Sequence, residues 1–207
     1  MNTDKEFWKK LKQGDSVALG AIYERYSDML YAYGMKIAQN SELINDCIQD
    51  LFVYLYDKRE TITVPKCVKA YLLISLKRRI YTTLMGLTEE KSQTVNIDNL
   101  YADGRSHFNL EIDVHATMEQ HDFTEDQLNA LQKALENLSP REREFIYLRY
   151  YKQLSLDEVV EISGTSKQCV KNITSRGLAR LRENELLTQT FLLELVVFHE
   201  IWVNAVK

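Results

Sequence analysis

The sequence predicts an all-α protein: two small helical domains joined by an acidic linker and followed by an apolar C-terminal helix. Prolines and glycines are few, two and seven among 207 residues, and apolar residues recur at three- and four-residue spacing in long segments. The charge also changes along the chain, with 13 basic and 10 acidic residues in 1–85, 2 and 10 in 86–126, and 10 and 8 in 127–185. These changes predict domain boundaries. The predicted parts are a first helical domain over 1–88, a linker over 89–123, a second helical domain over 124–185 and an amphipathic extension over 186–207.

The composition and the N-terminus exclude several classes of protein. A hydrophobic content of 45% suffices for buried cores,. The N-terminal stretch lacks the apolar core of a signal peptide, and no apolar run approaches the roughly 20 residues of a membrane span. We therefore expect a cytoplasmic protein that is not itself a membrane protein. Its cysteines, Cys47, Cys67 and Cys169, show none of the close spacing of a disulfide framework or metal site, so we expect them to be reduced.

The sequence contains no arrangement of residues typical of an enzyme. It has no Ser/His/Asp or Cys/His constellation, phosphate loop or metal-ligand spacing, which predicts a protein without catalytic residues, cofactor or metal. His107, His115 and His121 lie among carboxylates and could in principle bind a metal, but spacings of eight and six fit no ligand motif,. Solvated linker side chains are the favoured interpretation.

Two amphipathic helices open the first domain. After Gly14 and Asp15 the pattern predicts a helix of about 24 residues, and Ser41 is predicted to cap the next helix. Asp46, Gln49 and Asp50 fall on or near the polar side of that second helix, which spacing alone interprets as an ordinary solvated face. The predicted buried rows are Ile22, Tyr26, Leu30, Tyr33 and Ile37 in the first helix, and Ile44, Cys47, Ile48, Leu51, Phe52 and Leu55 in the second.

A basic patch follows, on a third helix that begins after a break at residues 61–65. Between Thr61 and Thr88 there is no acidic residue. The interleaved tyrosines suit single-stranded nucleic acid, because bases stack on aromatic rings while cations follow the backbone. Core tyrosines with cations drawn to a helix C-terminus explain the residues equally well. The patch comprises Lys66, Lys69, Lys77, Arg78 and Arg79, with Tyr71 and Tyr81 between them.

The second domain is predicted to hold four helices, the last two forming a helix-turn-helix. Start signals precede the first three: Thr124 with Gln127, Ser139 with Pro140 and Glu142, and Ser155 with Glu158,. Gly164 is predicted to end the third helix in the left-handed conformation, and Thr165 or Ser166 to cap the fourth. The buried row of the fourth helix is Val170, Ile173, Gly177, Leu178 and Leu181.

The fourth helix reverses the sign of the chain's charge. Five Lys or Arg residues and no acid lie between Thr165 and Arg182, in a chain of net charge -4. Such a face suits the DNA major groove, where Arg or Lys forks onto guanine and Asn or Gln onto adenine. A solvated helix in a bundle is the alternative, and the short turn with glycine and the missing acids favour DNA. The exposed face comprises Lys167, Gln168, Lys171, Asn172, Ser175, Arg176 and Arg180.

The tail over 186–207 is apolar along one wide face. Glu194, His199 and Glu200 argue against a membrane span. We expect a final amphipathic helix that packs on the second domain or binds a partner, with packing inside the chain favoured.

With these motifs in order, the chain resembles the extracytoplasmic-function sigma factors of bacterial RNA polymerase, within the sigma-70 family. DSVALGAIYERYSDMLYAY from Asp15 is similar to the family's opening helix, and DCIQDLFVYLYDKRE from Asp46 to its acidic-Gln-acidic-Phe signature. The resemblance implies that Asp46, Gln49, Asp50 and Phe52 bind core polymerase. It also implies that residues 61–67 capture a flipped base while residues 69–84 melt the −10 element. The −10 contacts expected from the patch and this resemblance are Thr61, Thr63, Lys66, Lys69, Tyr71, Lys77, Arg78 and Tyr81.

LSPREREFIYLRYYKQLSLDEVVEISGTSKQCVKNITSRGLARLR, from Leu138 to Arg182, resembles the family's −35 binding domain. Matching positions make Lys171, Asn172, Ser175 and Arg176 the expected base readers, with Lys167 and Arg180 expected on phosphates. The implied function is a non-catalytic subunit that directs core RNA polymerase to promoter DNA. The resemblance further implies an anti-sigma partner, often membrane-anchored in the family. The alternative from the residues is a stand-alone helix-turn-helix regulator that binds an operator as a dimer.

Overall fold

Eight α-helices and one π-helical turn form the secondary structure of the residues that the computed structural model describes, namely 3–87, 107–111 and 124–183. The all-α prediction is confirmed. Along the sequence the chain divides between Ile97 and Asp98 into two compact units. We number the helices in chain order: α1 (Thr3–Lys12), α2 (Ser16–Ile37), α3 (Ser41–Asp57), α4 (Val68–Leu84), α5 (Glu125–Glu136), α6 (Pro140–Ile146), the π turn (Tyr147–Tyr151), α7 (Leu156–Ser163) and α8 (Lys167–Arg182).

The first unit is built around α2, which packs against α1, α3 and α4. The carboxylate of Asp15 caps α2 by accepting from the amides of Val17 and Ala18, at 2.9 and 3.2 Å. Every residue of the predicted apolar rows in α2 and α3 is buried. One predicted cap is wrong by a residue, because Asn40 and not Ser41 accepts from the amide of Leu43. Asn is among the strongest cap formers, so the helix begins one position earlier than predicted, at Ser41.

Helix α1 has no counterpart among the predicted elements. Trp8 and Leu11 are fully buried, and its first turn is tied to α2 because the hydroxyl of Tyr26 donates to Asp4 at 2.6 Å. Asp4 also pairs with Arg25. Acidic residues in the first turn and basic residues in the last favour this short helix through its dipole,.

The second unit contains α5, α6, the π turn, most of α7, and α8, and it confirms the predicted start signals. Thr124 with Gln127, Ser139 with Glu142 and Ser155 with Glu158 each form a complete capping box. Gly164 ends α7 with φ of 72°, in the left-handed region,. Ser166, one of the two predicted residues, caps α8 by accepting from the amide of Cys169.

The π turn interrupts the run that leads into the helix-turn-helix. It closes with hydrogen bonds from the amide of Lys152 to the carbonyl of Tyr147 and from Leu154 to Leu148, at 2.9 and 3.0 Å. Gln153 follows with φ of 51°, and the guanidinium of Arg149 donates to the carbonyl of Leu154. The sequence predicts helix here but gives no sign of the wider turn.

Part of the predicted linker is packed. Phe108 and Leu110 are buried, and the Phe108 ring lies 5.3 Å from that of Tyr147 in the second unit. The amide of Gln132 donates to the Leu110 carbonyl at 3.4 Å. The remainder of the linker, with His115 and His121, and the predicted C-terminal helix lie outside the described residues. Among the helices that are described, none is both long and apolar enough to cross a membrane.

Candidate nucleic-acid and partner interfaces

The recognition face of α8 lies at the surface. Val170, Ile173, Gly177 and Leu181 face the core, so the helix presents its opposite side to solvent. The amide of Gln168 donates to the side-chain oxygen of Asn172 at 2.8 Å, one turn along the helix. All seven residues of the predicted face are exposed: Lys167, Gln168, Lys171, Asn172, Ser175, Arg176 and Arg180.

Both predicted phosphate contacts of α8 already have partners within the protein. Lys167 pairs with Asp157 at 2.6 Å, with both side chains more than half exposed, so the pair contributes little to stability. Arg180 donates to Glu142 at 2.6 Å, and the side chain of Glu142 is 5% exposed. The same carboxylate oxygen accepts from the amide and the hydroxyl of Ser139, at 2.9 and 2.8 Å. Glu142 therefore links the start of α6 to the recognition helix.

Gly177 allows α8 to lie close against α6. A Cβ placed at Gly177 would lie 2.8 Å from the terminal carbon of Ile146 and 3.4 Å from the Cβ of Glu142. The first distance is below van der Waals contact. The periodicity places Gly177 on the buried face. The structure adds that the absence of a side chain there sets how closely α8 approaches α6.

The candidate −10 surface is divided between exposed and buried residues. Thr61, Thr63 and Lys66 are exposed, while Lys69, Tyr71 and Arg78 are partly buried. Tyr71 is neutral at physiological pH, as any phenol of ordinary pKa is, and burial raises its pKa further. Lys77 and Tyr81 are 0% and 2% exposed. As placed, those two side chains would have to be uncovered before they could contact DNA.

Residues 61–67 form the loop between α3 and α4, which we call the capture loop. Its start is fixed by bonds from the amides of Thr61 and Ile62 to the carbonyl of Lys58, at 2.9 and 3.0 Å. Ile62 and Pro65 are buried, whereas Thr63 and Val64 face solvent. The thiol of Cys67 caps α4 by accepting from the amide of Ala70 at 3.5 Å.

The candidate polymerase surface lies along α3, beside a groove of about 730 Å³ between α2 and α3. Asp46, Gln49 and Asp50 are exposed. Phe52 is 5% exposed, and its ring meets that of Tyr23 edge-on, with centroids 5.0 Å apart. Gln49 and Phe52 line the groove.

Sequence reasoning missed the α2 wall of this groove. Leu19, Tyr23, Ser27 and Tyr31 line it, and they recur every four residues along α2. That second row beside the predicted core row was a signal available in the sequence. Val53 adds apolar surface from α3, with 53% of its side chain exposed.

Of the histidines, only His107 falls within the part of the chain that the structure describes. In that part no three His, Cys, Asp or Glu side chains are grouped to hold a metal ion. The surfaces above offer side chains for hydrogen bonding, stacking and ion pairing.

The chain matches two family models that describe successive parts of one kind of protein. Sigma-70 region 2 matches residues 22–88, and sigma-70 region 4 matches residues 134–183. A curated relative, the chloroplastic RNA polymerase sigma factor sigF of Arabidopsis thaliana, is 45% identical over 60 residues. The aligned part is 27% of this chain and 11% of that relative, so the match spans about a tenth of the relative's length.

Two solved structures share the fold. CnrH in complex with the cytosolic domain of CnrY is 17% identical, with a TM-score of 0.54 over 87% of this chain and 95% of that one. The sigma factor RpoE of Bartonella quintana, crystallised with the anti-sigma factor NepR, is 21% identical, with a TM-score of 0.51 over 82% and 96%.

Proposed function

Because the chain belongs to the sigma-70 family, whose two matched regions together cover more than half of its residues, we propose that it is a transcription initiation factor of the extracytoplasmic-function group. It directs core RNA polymerase to specific promoters. The observation that carries the proposal is the occurrence of region 2 and region 4 in order in one chain, each with an exposed surface suited to its partner. The protein has no catalytic step of its own in this role.

The −35 element is read by α8. Lys171, Asn172, Ser175 and Arg176 occupy the middle of its exposed face, where they meet base edges when the helix enters the major groove. The amide of Gln168 donates to the side-chain oxygen of Asn172, and this contact orients the Asn172 amide group. Lys167 and Arg180 lie toward the two ends of the helix and reach phosphates.

The −10 element is opened and captured by the first unit. The capture loop presents Thr61, Thr63 and Lys66, and α4 adds Lys69 and Arg78 beside the ring of Tyr71. Cations there follow the strand backbone while the aromatic ring supports an unpaired base. Lys77 and Tyr81 are left out of this surface because they are buried.

Core polymerase docks on α3. Asp46 and Asp50 supply exposed negative charge beside a groove with an aromatic wall, which suits a helical partner that carries basic and apolar residues. Gln49 and Phe52 contribute from the edge of the groove.

An anti-sigma protein holds the factor inactive until a signal arrives, and both proteins meet in the cytoplasm. The two structures of similar fold support this part of the proposal, since one shows RpoE with the anti-sigma factor NepR and the other shows CnrH with the cytosolic domain of CnrY.

Transcription with purified core polymerase tests the proposal. Promoter fragments from the protein's own genome are transcribed with and without the protein, and we expect discrete start sites that require it. Asp46→Arg reverses a charge on the docking surface, so it should abolish those start sites by weakening polymerase binding. Glu42→Arg makes the same change on an exposed residue near the start of α3 and should preserve them.

Two results would overturn the proposal. One is the absence of protein-dependent start sites together with polymerase-independent binding to a palindrome, which would indicate a dimeric regulator. The other is unchanged polymerase affinity in Asp46→Arg, which would remove the docking surface from α3.

A further inference from the structure

Helix α1 lies before the matched part of region 2, which begins at residue 22. Helix α1 packs mainly on α2, and Trp8 and Leu11 are its buried core residues. Two of its side chains also reach a segment more than 45 residues away along the chain. That second set of contacts is not needed to fasten α1 to α2.

These contacts fix successive carbonyls of the capture loop. The indole nitrogen of Trp8 donates to the carbonyl of Thr63 at 3.2 Å, and the ammonium of Lys12 donates to the carbonyl of Ile62. The rings of Trp8 and Tyr71 also meet edge to face, with centroids 5.1 Å apart and planes at 79°. One helix thus contacts both the loop and the partly buried tyrosine of the adjoining DNA surface.

Fixing two neighbouring carbonyls sets the direction of the side chains between and beyond them, because each peptide unit is planar. Ile62 and Pro65 are buried beneath the loop. Thr63 and Lys66 project to solvent, and Val64 is 38% exposed despite being apolar. The ammonium bond of Lys12 is charge-assisted and stronger than a neutral one.

We propose that Trp8 and Lys12 are positioning residues for base capture: they hold the loop in the shape that presents Thr63, Val64 and Lys66 to an unpaired promoter base. This inference rests on the proposed function of the first unit as the part that opens and captures the −10 element. In this inference α1 affects which base is preferred at the captured position. It acts through the backbone of the capture loop and does not contact DNA.

Promoter opening by the polymerase complex tests the inference. Lys12→Met keeps the length of the side chain and removes the donor, Lys12→Arg restores a cationic donor, and Lys10→Met removes the same charge from an exposed position on the same helix. Four promoter fragments that differ only at the captured base are opened with each variant. Permanganate reactivity of unpaired thymines measures the opening, and polymerase affinity is measured in parallel.

We expect Lys12→Met to lower opening about tenfold on the preferred fragment and to flatten the preference among the four bases, with polymerase affinity within twofold of the original protein. Lys12→Arg should recover most of the preference, and Lys10→Met should retain it. Trp8→Phe keeps an aromatic ring but lacks the N–H donor, so it should flatten the preference in the same way.

An equal loss of polymerase affinity and opening in Lys12→Met would overturn the inference, since it would indicate general damage to the first unit. An unchanged base preference in both Lys12→Met and Trp8→Phe would overturn it as well. In either case the original protein would still open promoters. Failure of the original protein to open any fragment would instead overturn the proposed function on which the inference rests.

Discussion

At residue scale, two helical glycines have opposite surroundings. A Cβ at Gly177 would meet Ile146 at 2.8 Å, while a Cβ at Gly20 would meet nothing within 4 Å. Replacing a helical Gly by Ala gains about 1 kcal/mol in helix propensity, but overpacking a core costs about 1–3 kcal/mol. Because Ile146 is itself buried, it has little room to move, and the packing cost outweighs the gain at Gly177.

We therefore predict that Gly177→Ala lowers the free energy of unfolding by about 1 kcal/mol, and that Gly20→Ala raises it by about 0.5–1 kcal/mol. Urea unfolding followed by circular dichroism measures both. Stabilisation by Gly177→Ala would contradict the close approach of α8 to α6.

The sequence predicts which side of α8 each residue occupies, because helical periodicity depends only on spacing. It does not predict contacts between distant residues. Glu142 is recognisable as part of a capping box, yet nothing in the sequence links it to Arg180, 38 residues later. Lys77 and Tyr81 show the same limit, since their residue types suit DNA while their burial depends on tertiary packing.

At the scale of elements, the π turn differs in its hydrogen bonding from the helix predicted there. A π-helical turn is rare and occurs mostly as a single turn inside an α-helix, so a helical pattern in the sequence does not reveal it. Here the ring of Tyr151 lies 4.7 Å from that of Tyr147, and Tyr147 in turn meets Phe108. The wider turn brings these rings together, and the short segment that contributes Phe108 was itself predicted as linker.

Burial gives this turn a predictable response to alkaline pH. Burial raises the pKa of Tyr151 from 10.0 to about 12, so the folded protein favours the neutral phenol. The stability that the neutral phenol of Tyr151 contributes is fully present below pH 10. It is lost as pH rises from 10 to about 12, by at most about 1.4 kcal/mol per pH unit. We predict that Tyr151→Phe loses stability less steeply than the original protein across that interval.

Urea unfolding of both proteins at pH 8, 9, 10, 11 and 12 measures the difference. The curves of stability against pH should run parallel below pH 10 and diverge above it. Parallel curves over the whole range would show that the hydroxyl of Tyr151 ionises as freely in the folded protein as in the unfolded one.

Helix α1 shows why a short element escapes sequence-based prediction. It offers only Phe7, Trp8 and Leu11 as apolar residues over ten positions, too few for a periodic row. Its stability comes from burial of Trp8 and Leu11 against the rest of the first unit, in agreement with the rule that short helices depend on tertiary packing. The three capping boxes of the second unit were predictable because each is a local pattern of four residues.

At the scale of the whole molecule, the proposed function places two DNA-binding modules in one chain. Under the proposed function, covalent connection within one chain gives the second module an effective concentration on the order of millimolar once the first is bound. Modest affinity in each module would therefore suffice, so a net charge of -4 is compatible with the proposed reading of DNA.

We predict that cutting the connection weakens promoter binding by the polymerase complex. A protease site inserted between residues 97 and 98 leaves the uncut protein as its own control. With both pieces at about 1 µM, cleavage should reduce binding about 10- to 1,000-fold, as measured by filter binding to a promoter that carries both elements. Unchanged binding after complete cleavage would show that polymerase alone holds the two units in register.

The order of the two domains, their helical class and the face of the recognition helix were predictable from sequence, because each follows from local spacing and from motifs. The packed segment at residues 107–111 was not. Phe108 and Leu110 stand among polar residues with weak periodicity, and only the second unit's core explains their burial.

The pairing of Lys167 with Asp157 and of Arg180 with Glu142 also affects how ions are exchanged on binding. When a phosphate takes over one of these cations, the carboxylate left behind attracts a cation from solution. The number of cations released from the DNA sets the slope of affinity against salt concentration. Each cation taken up by a carboxylate offsets one that is released. If Lys167 and Arg180 contact phosphates as proposed, we expect the salt dependence of −35 binding to report fewer charges than the basic residues on the recognition face.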